Sequence, residues 1–195
     1  MIKVDDYEIF KINMTTLKET SKDKHNDGSE YSMTDSLLEV VDFDNVKNHY
    51  IRDLDLATTP KSNDALLIKS DGKSVFIEFK NGCVKEYDIR KKIYDSLLIL
   101  TDIINKGISY TRQHTDYILV YNGEKNNTTD EDPKTRVQVS ESRDRIAKTF
   151  TKWGKTNYIK FGLHIFKNYC FRNVCTYTKD EFESFLSSLN DDNHF

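Results

Sequence analysis

Residues 60–82 decide the fold, and they read PKSNDALLIKSDGKSVFIEFKNG. Two runs in this stretch, 64–69 and 74–80, are rich in apolar and β-branched residues and are bounded by Asp, Gly and Asn. That pattern is typical of β-strands. The pair Asp71-Gly72 between the two runs is a strong turn signal. The stretch therefore predicts a β-hairpin.

The length of the hairpin loop determines which side chains share a face. A two-residue loop, 71–72, pairs Asp64 with Phe79 and leaves Asp64 and Glu78 on opposite faces, because side chains alternate along a strand. A three-residue loop, 70–72, with its glycine in the left-handed conformation, pairs Asp64 with Glu78 instead. The sequence permits both loops, and we predict the second.

The second strand has one continuous apolar face, formed by Val75, Ile77 and Phe79. We expect this face to pack on the core, which leaves the even-numbered residues on the other side. In the three-residue register Asp64, Glu78 and Lys80 then share that other side.

Two neighbouring carboxylates repel each other, and a cation between them removes this cost. Oxygen ligands of this kind suit Mg²⁺ or Mn²⁺, which polarises a phosphorus centre and activates water. Lys80 lies two residues after Glu78 and could orient that water or stabilise the developing charge. The alternative is a solvated strand face with a weak ion pair.

Pro60, Asp64 and Glu78-Phe79-Lys80 resemble the motif of the PD-(D/E)xK nuclease superfamily, which includes restriction enzymes, archaeal Holliday-junction resolvases and viral cap-snatching endonucleases. Pro60 departs from the pattern, since it lies four residues before the aspartate. The resemblance implies a metal-dependent nuclease with DNA favoured over RNA. Asp64, Glu78 and the Phe79 carbonyl would bind Mg²⁺ or Mn²⁺, and Lys80 would serve the attacking water. The alternative is an inactive nuclease-fold protein that binds nucleic acid or inhibits a partner.

The resemblance also implies an α/β fold, with a restriction-endonuclease-like mixed central sheet flanked by helices and a small C-terminal α+β extension. The core of the superfamily has the order helix, three strands, helix, strand, and we place it in residues 1–122. The basic extension, 123–195, is expected to pack on the same domain. Residues 85–106 have apolar residues at helical spacing, and 115–121 reads as a central strand. A crossover through that helix predicts a strand parallel to the one before it.

Upstream of the hairpin, the apolar spacing predicts a helix within residues 29–41. The superfamily often carries a further glutamate on this helix, and Glu30 lies near the centre of the apolar stripe, whereas Glu39 lies nearly opposite it. Glu30 is therefore the fourth candidate catalytic residue. The alternative is that it only favours the helix dipole. Residues 50–56 alternate between apolar and polar side chains over a short run, and they are the candidate first strand.

Beyond the core, residues 160–167 and 169–177 read as paired strands. Thr178 and Glu181 form a capping box that predicts a last helix. Positive charge is concentrated in this half of the chain: residues 134–172 contain ten Lys and Arg against two Asp and Glu, whereas residues 1–72 contain nine against 15.

A basic stripe is predicted on a helix at residues 140–153, where Arg145, Lys148 and Lys152 recur on one face. Such a stripe could follow a nucleic-acid backbone, and the alternative is a solvated helix face. The net charge of the chain is −3, so the local distribution carries this prediction.

The start of the chain, Met-Ile-Lys-Val-Asp-Asp, lacks the apolar segment of a signal peptide, and no apolar run is long enough to span a membrane. We therefore expect a cytoplasmic protein without a membrane partner. Its three cysteines are irregularly spaced, which favours reduced thiols. Dimers are common among enzymes that cut both strands of a duplex, so a homodimer remains open.

Overall fold

The computed structural model describes residues 2–24, 30–126 and 159–191. The strands are β1 (Met14–Thr16), β2 (Lys22–Lys24), β3 (Glu30–Ser32), β4 (Glu39–Asp42), β5 (Ala65–Ile68), β6 (Ser74–Lys80), β7 (Thr115–Tyr121) and β8 (Val174–Thr178). The helices are α1 (Glu8–Lys11), α2 (Leu17–Thr20), α3 (Phe43–Tyr50), α4 (Glu86–Ile103), α5 (Ile108–His114) and α6 (Lys179–Asp191). Short 3-10 helices cover Val4–Asp6, Glu124–Asn126 and Leu163–Phe166.

A mixed sheet in the order β1-β4-β5-β6-β7-β8 forms the centre of the described structure. Neighbours from β1 to β6 are antiparallel, whereas β6, β7 and β8 are parallel to one another. Strands β2 and β3 form a separate antiparallel pair. The predicted helix and the parallel strand after it are both confirmed, and the chain is a mixed α/β protein with a central sheet flanked by helices.

The predicted three-residue hairpin loop is confirmed. The Lys69 N–H donates to the Lys73 carbonyl at 2.8 Å, and the Gly72 N–H donates to the Lys69 carbonyl at 2.8 Å. Gly72 has a φ of 74°, the left-handed conformation that this loop requires. Ala65 pairs with Ile77, and one residue further along the same register Asp64 lies beside Glu78.

Both faces of the sheet are buried, so the expectation that only one face of β6 packs on a core is wrong. Phe76 lies on the same face as Glu78 and is fully buried against α4, whose buried stripe includes Ile89 and Ile93. The opposite face, with Ile77, packs against α6 in a second core. A helix on each side is what a sheet with parallel strands requires.

The predicted helix at 29–41 is wrong, because these residues contain β3 and β4. Met33, Leu37, Val40 and Val41 gave the apolar spacing, but Val40 and Val41 point into opposite cores, which is the period-two alternation of a strand. The following Asp42 caps α3 by accepting a bond from the Asn45 N–H at 2.9 Å. The predicted first strand at 50–56 is also wrong, since the end of α3 and turns occupy it.

The region after residue 159 contributes to the central sheet. The predicted strand at 160–167 is wrong, because a 3-10 helix covers Leu163–Phe166. The predicted pairing of 160–167 with 169–177 is also wrong, because the strand found in the second range, β8, pairs with β7. The predicted capping box is confirmed, since the Thr178 N–H donates to Glu181 Oε2 at 2.7 Å at the start of α6. The predicted helix at 140–153, with Arg145, Lys148 and Lys152, lies outside the described residues.

No helix in the described ranges combines the length and the apolar character needed to cross a membrane. The described cysteines, Cys83, Cys170 and Cys175, are free thiols.

Candidate active site

Asp64 is fixed at the start of β5 by the backbone of the neighbouring strand. Its Oδ2 accepts a hydrogen bond from the Phe79 N–H at 2.6 Å. The Asp64 side chain is 16% exposed, so one carboxylate oxygen is held while the group still reaches the surface. The hairpin register produces this geometry, because it sets the start of β5 beside the end of β6.

Glu78 lies on β6 and is completely buried, and its charge is balanced from α4. The Lys92 ammonium lies 2.6 Å from Glu78 Oε1 and 3.2 Å from Asp64 Oδ1. Carboxylates from two adjacent strands therefore converge on one cation. Lys92 reaches them because its helix crosses the face of the sheet that carries Glu78.

Burial and mutual repulsion disturb the ionisation of this cluster. Burial, followed by the charge of Asp64, raises the pKa of Glu78 well above its ordinary value. Burial also raises the pKa of Asp64, although Lys92 and the Phe79 N–H oppose the change. Burial alone would lower the pKa of Lys92, but the charges of Asp64 and Glu78 outweigh it and the pKa is raised. The ammonium is thus charged throughout the neutral range.

Polar atoms around the cluster lack partners within the described residues. Glu78 Oε2, the side-chain amide of Asn63 and the Tyr117 hydroxyl are buried and make no hydrogen bond to a described group. The pKa of Tyr117 is raised well above its ordinary value, first by burial and then by the charges of Glu78 and Asp64. Buried polar atoms are normally paired, so this concentration marks a site rather than ordinary core.

A cavity of about 220 Å³ opens onto one side of the cluster. Asp64, Phe79 and Lys80 line it, together with Asp44 from the first turn of α3. Asp44 accepts a hydrogen bond from the Ser62 hydroxyl and lies 3.3 Å from the Lys47 ammonium. The cavity is therefore lined by three aspartates, Asp23, Asp44 and Asp64, and by two lysines, Lys22 and Lys80.

The structure brings Asp64, Glu78 and Lys80 into one region, as the hairpin register predicted. Asp64 and Glu78 meet at Lys92, and Asp64 and Lys80 meet at the cavity. Glu30 lies on β3 and is not among the residues that line the cavity, but its Oε2 is 3.4 Å from the ammonium of Lys22, which does line it. Its predicted helical position is wrong, since the stripe that suggested it belongs to strands.

Sequence reasoning missed Lys92 and Asp44. Lys92 borders the apolar stripe of α4 one turn before Ser96, whose hydroxyl accepts a bond from the Asn63 N–H at 2.8 Å. A lysine and a serine beside an otherwise apolar stripe were the available signal. Asp44 had no such signal, because an acid in the first turn of a helix is ordinary.

The described residues contain no group of three or more His, Cys, Asp or Glu side chains placed as ligands for one ion. The carboxylates of Asp64 and Glu78 nevertheless suit Mg²⁺ or Mn²⁺, which prefer oxygen ligands, and Glu78 Oε2 has an unused lone pair. The Lys92 ammonium lies between them, so the pair fits a divalent cation once that side chain has moved.

Comparison of the chain with protein-family models, with curated proteins and with solved structures gives no match.

Proposed function

We propose that this chain is a Mg²⁺- or Mn²⁺-dependent nuclease that hydrolyses phosphodiester bonds, with DNA favoured over RNA. One observation carries the proposal. Asp64, directly before β5, and Glu78, on the adjacent β6, converge on a single cation, and Asp64 also faces a cavity lined by Lys80. A purely structural domain has little reason to keep this much buried charge, because burying it is costly.

The order of elements supports a restriction-endonuclease-like fold. Strands β4, β5 and β6 form an antiparallel meander, α4 crosses one face, and β7 returns parallel to β6. This order contains the three strands, helix and strand that follow the first helix of the core in the superfamily that the motif resembles, with α3 added between β4 and β5 and α5 added before β7. The two acids lie at the second and third strands of the meander, as the motif requires.

The chain's own residues divide the work of hydrolysis. The Phe79 N–H fixes the orientation of the Asp64 carboxylate. Lys80 presents a positive charge to a phosphate that enters the cavity. Lys92 opposes the rise that burial causes in the pKa of Asp64 and of Glu78, and so favours the ionised form of both. When bound, Mg²⁺ or Mn²⁺ supplies Lewis acidity and lowers the pKa of water.

A second function is favoured by the same lysine. Lys92 already neutralises Asp64 and Glu78, as a cation would, so the cluster is also consistent with a nuclease-like protein that binds nucleic acid without cutting it. The two functions differ in one respect only, namely whether a divalent cation replaces the ammonium.

Cleavage assays distinguish them. Purified protein is incubated with plasmid DNA, single-stranded DNA and RNA, in Mg²⁺, in Mn²⁺ or in EDTA. The nuclease proposal expects cleavage only with the metal, and a loss of roughly 100-fold or more in Asp64→Ala and Glu78→Ala. Asp53→Ala is the control, since that carboxylate is exposed and pairs only with Arg52 among the described residues. Absence of cleavage, or equal cleavage by all variants, favours the binding function.

A further inference from the structure

A second cleft, of about 400 Å³, lies where the three parallel strands end. Its lining includes Asn81, which follows β6, Asn122, which follows β7, and Thr178, the last residue of β8. The carboxyl ends of parallel strands are where open α/β sheets bind ligands. The volume is in the range of small-molecule sites.

The cleft adjoins the candidate active site. Met33 and Asn81 line both the cleft and the cavity that contains Asp64 and Lys80. A polymer with one phosphate beside Asp64 and Lys80 therefore has its next residue in reach of the cleft.

The two amides in the cleft are held in fixed orientations. Asn122 Nδ2 donates to Asn81 Oδ1 at 3.0 Å, and Asn81 Nδ2 donates to Asp23 Oδ2 at 3.2 Å. Asn122 Oδ1 accepts from the Lys125 N–H at 3.2 Å. Asn81 is only 8% exposed, so its position is set by the protein. Oriented amides of this kind pair with the polar edges of nucleobases.

An aromatic ring and an ammonium line the same cleft. Tyr31 on β3 is 39% exposed, and the Lys179 ammonium lies 4.9 Å from its ring centroid and 3.2 Å from its hydroxyl. This contact holds the ring in place. A nucleobase can stack on such a ring, while Lys179 offers a charge to the attached phosphate.

We propose that this cleft binds the nucleobase next to the scissile phosphate by stacking on Tyr31, which makes single-stranded nucleic acid the substrate. A base inside a duplex keeps its own stacking neighbours and cannot enter a cleft of this kind. This inference rests on the proposed nuclease function, because the position of the cleft beside the cavity of Asp64 and Lys80 is what points to a nucleic-acid ligand.

Binding by the 195-residue protein is measured in EDTA, where the proposed enzyme does not cut, with labelled single-stranded DNA, single-stranded RNA and a duplex of the same sequence. Tyr31→Leu removes the ring and is expected to weaken single-strand binding by roughly 5- to 100-fold. Tyr31→Phe retains the ring and should bind like the wild type. Tyr87→Leu, on the exposed side of α4, is the matched control and should also leave binding unchanged.

A second measurement needs no variant. Photocrosslinking of the wild type to a single strand that contains iodouracil, followed by peptide mapping, is expected to label Tyr31. Wild-type affinity in Tyr31→Leu, an equal loss for the duplex, or crosslinks that map away from the cleft would overturn the proposal. The outcome is separable from the nuclease test, because stacking on Tyr31 without metal-dependent cleavage refutes the nuclease alone, and cleavage without stacking refutes the subsite alone.

Discussion

The Lys92 ammonium lies 2.6 Å from the buried Glu78 carboxylate, and this contact joins α4 to the central hairpin. Lys92 also contacts Asp64, so one cation serves a buried acid and a partly buried one. The three groups carry a net charge of −1 when all are ionised. Removal of any one of them changes the electrostatic balance of the other two.

Replacement of Lys92 by methionine is expected to lower the free energy of unfolding by about 3 to 5 kcal/mol near pH 7, since it leaves the buried carboxylate of Glu78 and the partly buried one of Asp64 without a counter-charge. Urea denaturation measures the change. Lys91→Met is the matched control: Lys91 is the adjacent residue of α4 and makes only a 4.0 Å contact with Asp95, so a change within about 0.5 kcal/mol is expected. Equal effects in the two variants would contradict a buried triad.

The Lys92→Met protein should also respond to divalent cations more strongly than the wild type. With the ammonium removed, Mg²⁺ or Mn²⁺ meets Asp64 and Glu78 without competition, and binding to the folded state raises its stability. Thermal melting with increasing Mn²⁺ measures this shift in stability, with samples in metal-free buffer and in EDTA as references. A smaller shift in Lys92→Met than in the wild type would show that the lysine is needed for cation binding.

The raised pKa of Glu78 predicts the sign of a pH effect. Between the ordinary glutamate pKa and the raised value, the folded protein binds this proton more tightly than the unfolded chain does. The contribution of Glu78 to stability therefore falls as pH rises through that window. Glutamine does not titrate, so the stability of Glu78→Gln does not fall in this way. The free energy of unfolding of the variant, relative to that of the wild type, should therefore rise with pH. Urea titrations at several pH values test it, and a difference that is flat or falls with pH would contradict the assignment.

Gly72 sets the register, and its replacement tests that role. Gly72→Ala forces an alanine to a φ of 74° and should cost about 1 to 2 kcal/mol of stability. Gly72→Asn should cost less, because asparagine tolerates the left-handed region. Gly82→Ala is the control, since no atom lies within 4 Å of the added Cβ and no positive φ is involved. Equal tolerance of alanine at both glycines would contradict the loop described here.

The basic stripe predicts a salt dependence of nucleic-acid binding. If Arg145, Lys148 and Lys152 contact phosphates, changing all three to glutamine should reduce the slope of log K against log salt by roughly two to three. The same change at Lys3, Lys11 and Lys18, in the acidic part of the chain, is the control and should leave the slope unchanged. An unchanged slope in the stripe variant would show that these residues do not contact the phosphate backbone.

The sequence predicted the parts of the fold that local chemistry controls. The Asp71-Gly72 turn and the alternation around it were enough to predict the register, and the long apolar stripe predicted α4. The region at 29–41 could not be predicted in the same way. Adjacent apolar residues such as Val40 and Val41 occur both in the apolar stripe of a helix and in a strand that is buried on both faces. Only the position of the second core distinguishes the two.

The sequence predicted only the part of the candidate site that the hairpin contributes. Asp64 and Glu78 follow from the register alone. Lys92 lies 14 residues after Glu78 and reaches the site only because α4 crosses the sheet at a particular angle and height, a relationship that no local pattern records. Asp44 depends in the same way on how α3 starts beside β5.

Diffraction from crystals soaked in Mn²⁺, with anomalous data, tests the central claim most directly. The nuclease proposal predicts a manganese peak bound by both Asp64 and Glu78 at about 2.1 Å, with the Lys92 ammonium displaced from its place between them. A Lys92 side chain that remains in contact with both carboxylates, with no manganese at either of them, would contradict it.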